Sequence, residues 1–154
     1  MSDFELRMKV RDYECDLQGI VNNANYQHYL EHARHEYLLS KGISFAELHS
    51  RGIDAVVARI RMDFKVPLRS GDEFVCSLSV KKEDVRYVFM QNIYRASDRK
   101  LCLRAKVESV CVEHGELMMG SPEMDRLLFG IQPQKYIKRF PNGIATHSES
   151  GSRV

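Results

Sequence analysis

Hydrophobic and polar residues alternate along Phe4-Glu5-Leu6-Arg7-Met8-Lys9-Val10. A period of two is that of a strand with one face buried. The alternation stops in a polar stretch from Arg11 to Val21, which holds Asp12, Glu14, Asp16 and Gly19. The period then changes. Tyr26, Tyr29, Leu30, Ala33 and Tyr37 recur at helical spacing and make one apolar face, with Gln27, Glu31, His35 and Glu36 away from it. Asn22 and Asn23 are good caps for the start, and Gly42 stands where a helix C-terminal glycine belongs. The pattern predicts a long helix from there to about Lys41. Residues 43–52 read as a helical turn and a loop.

Four strands are predicted next, with no second long helix. Over 55–66, Val56, Ala58, Ile60, Met62, Phe64 and Val66 alternate with Val57, Arg59, Arg61, Asp63 and Lys65. Pro67 and the Ser70-Gly71-Asp72 turn end this run. Residues 73–81 alternate likewise, and 86–95 and 101–113 do so more loosely, separated by a turn at 97–100. The short links favour a meander of successive antiparallel pairs. Ser121 and Pro122 cap and open a short helix to Phe129. Residues 141–154 are polar, with little to bury, and are expected to be disordered or ordered only by contacts. The sum is an α+β domain over 1–131, one amphipathic helix packed on one curved sheet, and a tail over 132–154. The open edges of such a sheet favour a partner subunit.

Composition narrows the partners. The chain has 154 residues, 44% hydrophobic, and a formal net charge of +2. That supports an ordinary core and gives no argument for a nucleic-acid or membrane surface. No signal-like apolar run opens the chain and no stretch is long enough to span a bilayer, so a cytoplasmic protein is expected. Cys15, Cys76, Cys102 and Cys111 form no CxxC pair and are expected to be reduced and structural. His28, His32 and His35 share a helix face, but no further ligand is evident and no metal is expected.

The polar stretch and the helix after it carry the chemistry. Asp16-x-x-Gly19-x-Val21-x-x-x-x-Tyr26 leads into Glu31 and Arg34, with a later Pro67 and Gly71-Asp72 turn. In this order of elements, from about Phe4 to Phe129, the chain resembles hotdog-fold acyl-CoA thioesterases of the 4-hydroxybenzoyl-CoA thioesterase type. The resemblance implies a five-stranded antiparallel sheet wrapped around one long helix, and hydrolysis of acyl-CoA to free acid and coenzyme A without a cofactor. It implies Asp16 as nucleophile or general base and the backbone amide of Asn23 as the donor that polarises the carbonyl. A second copy, in a homodimer or homotetramer, would complete the site.

The residues suit that chemistry on their own terms. A carboxylate can attack a thioester directly or activate a water, and helix N-terminal amides can hold an oxyanion. Tyr13, Gly19 and Tyr26 are expected to contact substrate. Arg59, Arg61 and Lys65, on one face of a strand, and Arg86 near a strand end, are expected to meet the phosphates of coenzyme A or an acidic carrier protein. Two departures stand out. Several relatives carry a histidine where this chain has Ile20 or Asn23, and plant-type acyl-carrier-protein thioesterases carry Asn where it has Gln18. The Val21–Tyr26 run, VNNANY, resembles that plant type. Acyl-carrier-protein hydrolysis and a non-catalytic acyl-CoA-binding role are therefore the rival readings. A dehydratase is disfavoured by the missing histidine.

Overall fold

The computed structural model describes residues 2–130, together with the backbone at 137–139 and 145–147. Strand β1 (Phe4–Lys9) alternates half-buried and exposed positions along its whole length, as its sequence predicts. A single 3-10 turn (Asp12–Glu14) follows. Helix α1 (Asn23–Ser40) is capped by Asn22, whose side chain accepts from the Ala24 N–H. Its end is a Schellman motif: Gly42, at φ 83°, donates to Leu39 and Ile43 donates to Leu38. A left-handed φ suits glycine because no Cβ meets the carbonyl. Leu30, Ala33 and Leu38 on α1 are fully buried. Each such leucine contributes about 1.5–3 kcal/mol by burial.

The remaining elements are α2 (Phe45–Ser50), β2 (Ile53–Phe64), β3 (Glu73–Glu83), β4 (Arg86–Arg95), β5 (Leu101–Glu113), β6 (Glu116–Leu117), α3 (Pro122–Phe129), β7 (Ile137–Arg139) and β8 (Ala145–His147). The main sheet is antiparallel in the order β1-β3-β4-β5-β2, and the two-residue β6 adds to β5. Its inner face carries Phe74 and Cys76 of β3, Phe89 and Ile93 of β4, and Leu103 and Val107 of β5, all in the core around α1. The predicted tail over 132–154 lies outside the described residues, apart from the backbone of β7 and β8, which pair with each other.

Two predictions about the sheet need correction. The meander holds only for β3-β4-β5. Strand β2 pairs with β5 at the far edge, and β1 takes the place beside β3. The short link Lys65–Asp72 does not make a hairpin. It crosses beneath the start of α1 instead: Val21 donates to the Leu68 carbonyl at 2.8 Å, and Leu68, fully buried, donates to the Tyr26 hydroxyl at 3.4 Å. The second correction is within β2. A bulge between Val57 and Arg59 leaves Ala58 without a register partner. It sets Ala55 and Val57 on the same side as Ile60 and Met62, whereas strict alternation grouped Val57 with the arginines. No helix among the described residues is long and apolar enough to cross a membrane.

Candidate active site

The loop between β1 and α1 is closed on itself. Asp16 N–H donates to the Ile20 carbonyl at 2.9 Å, Gly19 N–H donates back to the Asp16 carbonyl at 3.0 Å, and Cys15 bridges Val21. Gly19 has φ 77°, which lets the turn close so tightly. Within it, the Gln18 N–H donates to Oδ1 of Asp16 at 2.8 Å. Among the described residues no group bonds Oδ2. Asp16 is therefore held by one oxygen and presents the other.

Glu14 staples this loop to the helix. In the sequence it is one of three acids in a polar stretch, but in the structure it is buried. Its Oε1 accepts from the Arg11 N–H at 2.7 Å and from the Tyr29 hydroxyl at 2.9 Å. Its backbone carbonyl accepts from the Asn22 N–H and the Asn25 side chain. Burial, and then the Glu14 carboxylate, push the Tyr29 hydroxyl far above its ordinary pKa.

These bonds fix the first turn of α1 beside the Asp16 loop. At this helix end, the Ala24 N–H is bonded by the Asn22 side chain and the Asn25 N–H by the Asn22 carbonyl. The Asn23 N–H has no acceptor among the described residues. It is a donor left open at the positive end of an 18-residue helix.

The other expected site residues fall in different places. Tyr13 lies on the same loop and is 79% exposed, and Leu17 there is fully exposed. Tyr26 is buried, with its ring edge-on to Tyr29 and Phe64 and its hydroxyl on Leu68. As placed, it packs the core beneath the loop and does not present to solvent. Arg59 and Arg86 lie on the outer face of the sheet and both reach Glu108, at 3.9 and 3.5 Å, while Arg61 meets Asp63 at 3.6 Å. Lys65 stands just past β2, its N–H on the Cys102 carbonyl. The structure brings none of these four cations into contact with the Asp16 loop.

Besides Arg11, which reaches Glu14 at 3.5 Å, a cation beside the loop is Arg69, on the crossing segment. It bridges Ile20, and its guanidinium lies 3.9 Å from where a Cβ on Gly19 would sit. The sequence does not single out Arg69, because nothing local says that the segment crosses the helix. His28 and His32 are exposed, and His35 sits beside Glu31 and Phe45. Among the described residues no three His, Cys, Asp or Glu side chains are grouped to hold a metal ion.

Residues 10–141 match the thioesterase-like superfamily. The chain belongs to that superfamily. Two members from Arabidopsis thaliana, both acyl-acyl carrier protein thioesterases described as chloroplastic, are similar to it. One is 37% identical over 116 residues, covering 74% of this chain, and the other 35% identical over 127 residues, covering 82%. This chain spans 61% and 68% of their lengths. A hypothetical protein from Aquifex aeolicus has a solved structure that superposes with a TM-score of 0.76 at 28% identity, covering 81% of this chain and 98% of that one. A 4-hydroxybenzoyl-CoA thioesterase mutant, solved with 4-hydroxybenzoyl-CoA, superposes with a TM-score of 0.74 at 18% identity, covering 81% and 97%. The curled antiparallel sheet around α1 is thus the hotdog fold. In this thioesterase-like chain β2, the bulged strand, stands at one edge of the sheet.

Proposed function

We propose that this protein hydrolyses acyl thioesters, with Asp16 acting on the carbonyl carbon and the Asn23 N–H receiving the oxyanion. The observation that carries this reading is that the loop leaves a carboxylate oxygen open and the helix N-terminus leaves an amide open, the two elements being stapled together by Glu14; a second copy of the chain would complete the site. Asp16 either attacks the carbonyl, giving a mixed anhydride that water then opens, or takes a proton from the attacking water. In both routes negative charge grows on the carbonyl oxygen and is met by the fixed N–H. Collapse expels the thiolate and leaves the free acid. Neither route needs the histidine that the loop lacks.

The amide can be tested without touching a side chain that holds the fold. Asn23 is the first helical residue, where proline is tolerated. Asn22 has φ −64° and ψ 137°, a conformation suited to the residue before proline. Asn23→Pro removes the N–H together with the carboxamide, whereas Asn23→Ala removes the carboxamide and keeps the N–H. We expect an unchanged circular dichroism spectrum and a kcat lower by about 10²–10³-fold, while Asn23→Ala retains most of the activity. Wild-type rates in the proline variant would sink the oxyanion assignment.

The substrate of first choice is an acyl-CoA. A second reading, an acyl-carrier-protein substrate, is favoured by the two Arabidopsis relatives. Measuring kcat/KM for one acyl chain on coenzyme A and on carrier protein decides between them. A homo-oligomer is proposed on the β2 edge, where Val56, Val57 and Phe64 are 43–49% exposed on a strand that, among the described residues, pairs on one side only. Sedimentation at assay concentration should give a multiple of the chain mass.

A further inference from the structure

A cavity of about 200 Å³ lies between α1 and the sheet, away from the Asp16 loop. Leu38, Phe45, Val57 and Phe89 are among its walls, and Arg34, Glu31 and His35 also line it. Arg34 lies eleven residues beyond Asn23, ~16 Å along the helix axis at 1.5 Å per residue. A group held there belongs to the distal part of an acyl chain, not to the reacting carbonyl.

Arg34 is unusual for a wall residue. It is 92% buried, being 8% exposed, yet no carboxylate lies within ion-pair distance among the described residues. Glu31, three residues earlier, is turned toward His35 at 3.9 Å and is more than half exposed. The one hydrogen bond of the guanidinium among the described residues runs from Nη1 to Oε1 of Gln91, at 3.1 Å. Gln91 is itself fully buried and fixed, its Nε2 donating to the Leu30 carbonyl at 3.0 Å. The guanidinium is therefore oriented by a neutral partner and keeps further N–H donors. A buried cation held in this way is stabilised strongly by an anion and weakly by anything else. Volume sets the scale: at ~30 Å³ for each water-sized group, the cavity takes about seven.

We propose that Arg34 is a specificity residue, receiving a carboxylate on the far end of the acyl group in this cavity. The preferred substrates are then monothioesters of dicarboxylic acids. This rests on the thioesterase reading above, so the test separates the two. Turnover is compared for two acyl-CoA substrates of equal chain length, one ending in methyl and one in carboxylate. In parallel, binding of the corresponding free monoacid and diacid to Asp16→Asn protein is measured by calorimetry.

The wild type should prefer the carboxylate-ended substrate by roughly 10- to 100-fold in kcat/KM, the value of a charge-assisted hydrogen bond. Arg34→Met should bring that ratio to about one. Gln91→Glu keeps the arginine but gives it an internal anion, and should abolish the preference as well. It also keeps the test open if Arg34→Met does not fold. Absence of any preference in the wild type, or its survival in both variants, overturns the proposal. Selective diacid binding without any thioester cleavage would support Arg34 and refute the thioesterase reading. Cleavage with neither preference nor selective binding would do the reverse.

Discussion

Asp16→Asn should lower kcat/KM on an acyl thioester by about 10²–10⁴-fold while leaving the fold unchanged. The amide side chain keeps an oxygen in place of Oδ1, so the bond from the Gln18 N–H at 2.8 Å can persist and the turn stays closed. What is lost is the charge on the open oxygen, which serves either as nucleophile or as base. Two neighbouring acids provide the contrast. Asp12 is bonded by the Ser70 hydroxyl at the surface, and Asp12→Asn should leave turnover within a few-fold. Glu14 is buried and tied to Tyr29 and Arg11, so Glu14→Gln should act on stability first. Steady-state kinetics on all three variants, with urea titrations beside them, gives the comparison. Turnover retained in Asp16→Asn, or lost equally in Asp12→Asn, removes Asp16 from the chemistry.

Asp125→Ala should destabilise the protein by about 3–5 kcal/mol, the usual effect of removing one member of a buried ion pair. Asp125 is 1% exposed and sits on α3. It accepts from the Tyr87 hydroxyl of β4 and, through Oδ2, from Lys82 of β3 at 2.7 Å. Lys82 also lies over the Tyr87 ring, 4.9 Å from its centroid, and the Ser121 N–H donates to the same hydroxyl at 2.8 Å. Burial and the neighbouring carboxylate hold that hydroxyl far above its ordinary pKa, so it stays a donor at any physiological pH. Removing the carboxylate takes away at once the bond it accepts from the Lys82 ammonium and the bond it accepts from the buried Tyr87 hydroxyl. Against a total of roughly 5–15 kcal/mol this is a large fraction. The urea midpoint should fall while the denaturant slope holds. Asp125→Asn, which keeps both oxygen and shape, should lose less. A loss below about 1 kcal/mol in Asp125→Ala would show that apolar packing, not this cluster, holds α3 to the sheet.

Local pattern determined much of the structure. The alternation of Phe4 to Lys9 made β1, because a period of two buries one face of a strand whatever its partner is. Asn22 and Gly42 bounded α1, and Ser121 with Pro122 opened α3, because caps satisfy backbone groups within a few residues of themselves. The motif around Asp16 was equally legible, since a tight turn needs its glycine at a fixed offset and its acid in a fixed place.

What the sequence left open were facts about distant neighbours. Periodicity says that a segment is a strand, but it does not say which strand it meets. Nothing within 53–64 states that β2 pairs with β5 rather than β3, since that choice depends on closing the chain around α1. The consequence reaches the site, because the Lys65–Asp72 link becomes the crossing segment that sets Leu68 under Tyr26 and Arg69 beside Gly19. Glu14 reads as one more acid in a polar loop until Tyr29, fifteen residues away, turns out to bond it. Gln91 carried a partial signal: it stands on the inward parity of β4 between Phe89 and Ile93, a polar residue where an apolar one is expected. Its partner Arg34, 57 residues away, became visible only when the helix was laid on the sheet. The sequence alone determined the helix start and the acid and glycine of the loop ahead of it, because each is fixed by bonds a few residues long. The tertiary structure decided what surrounds them, because burial and ion pairing depend on contacts that no local pattern encodes.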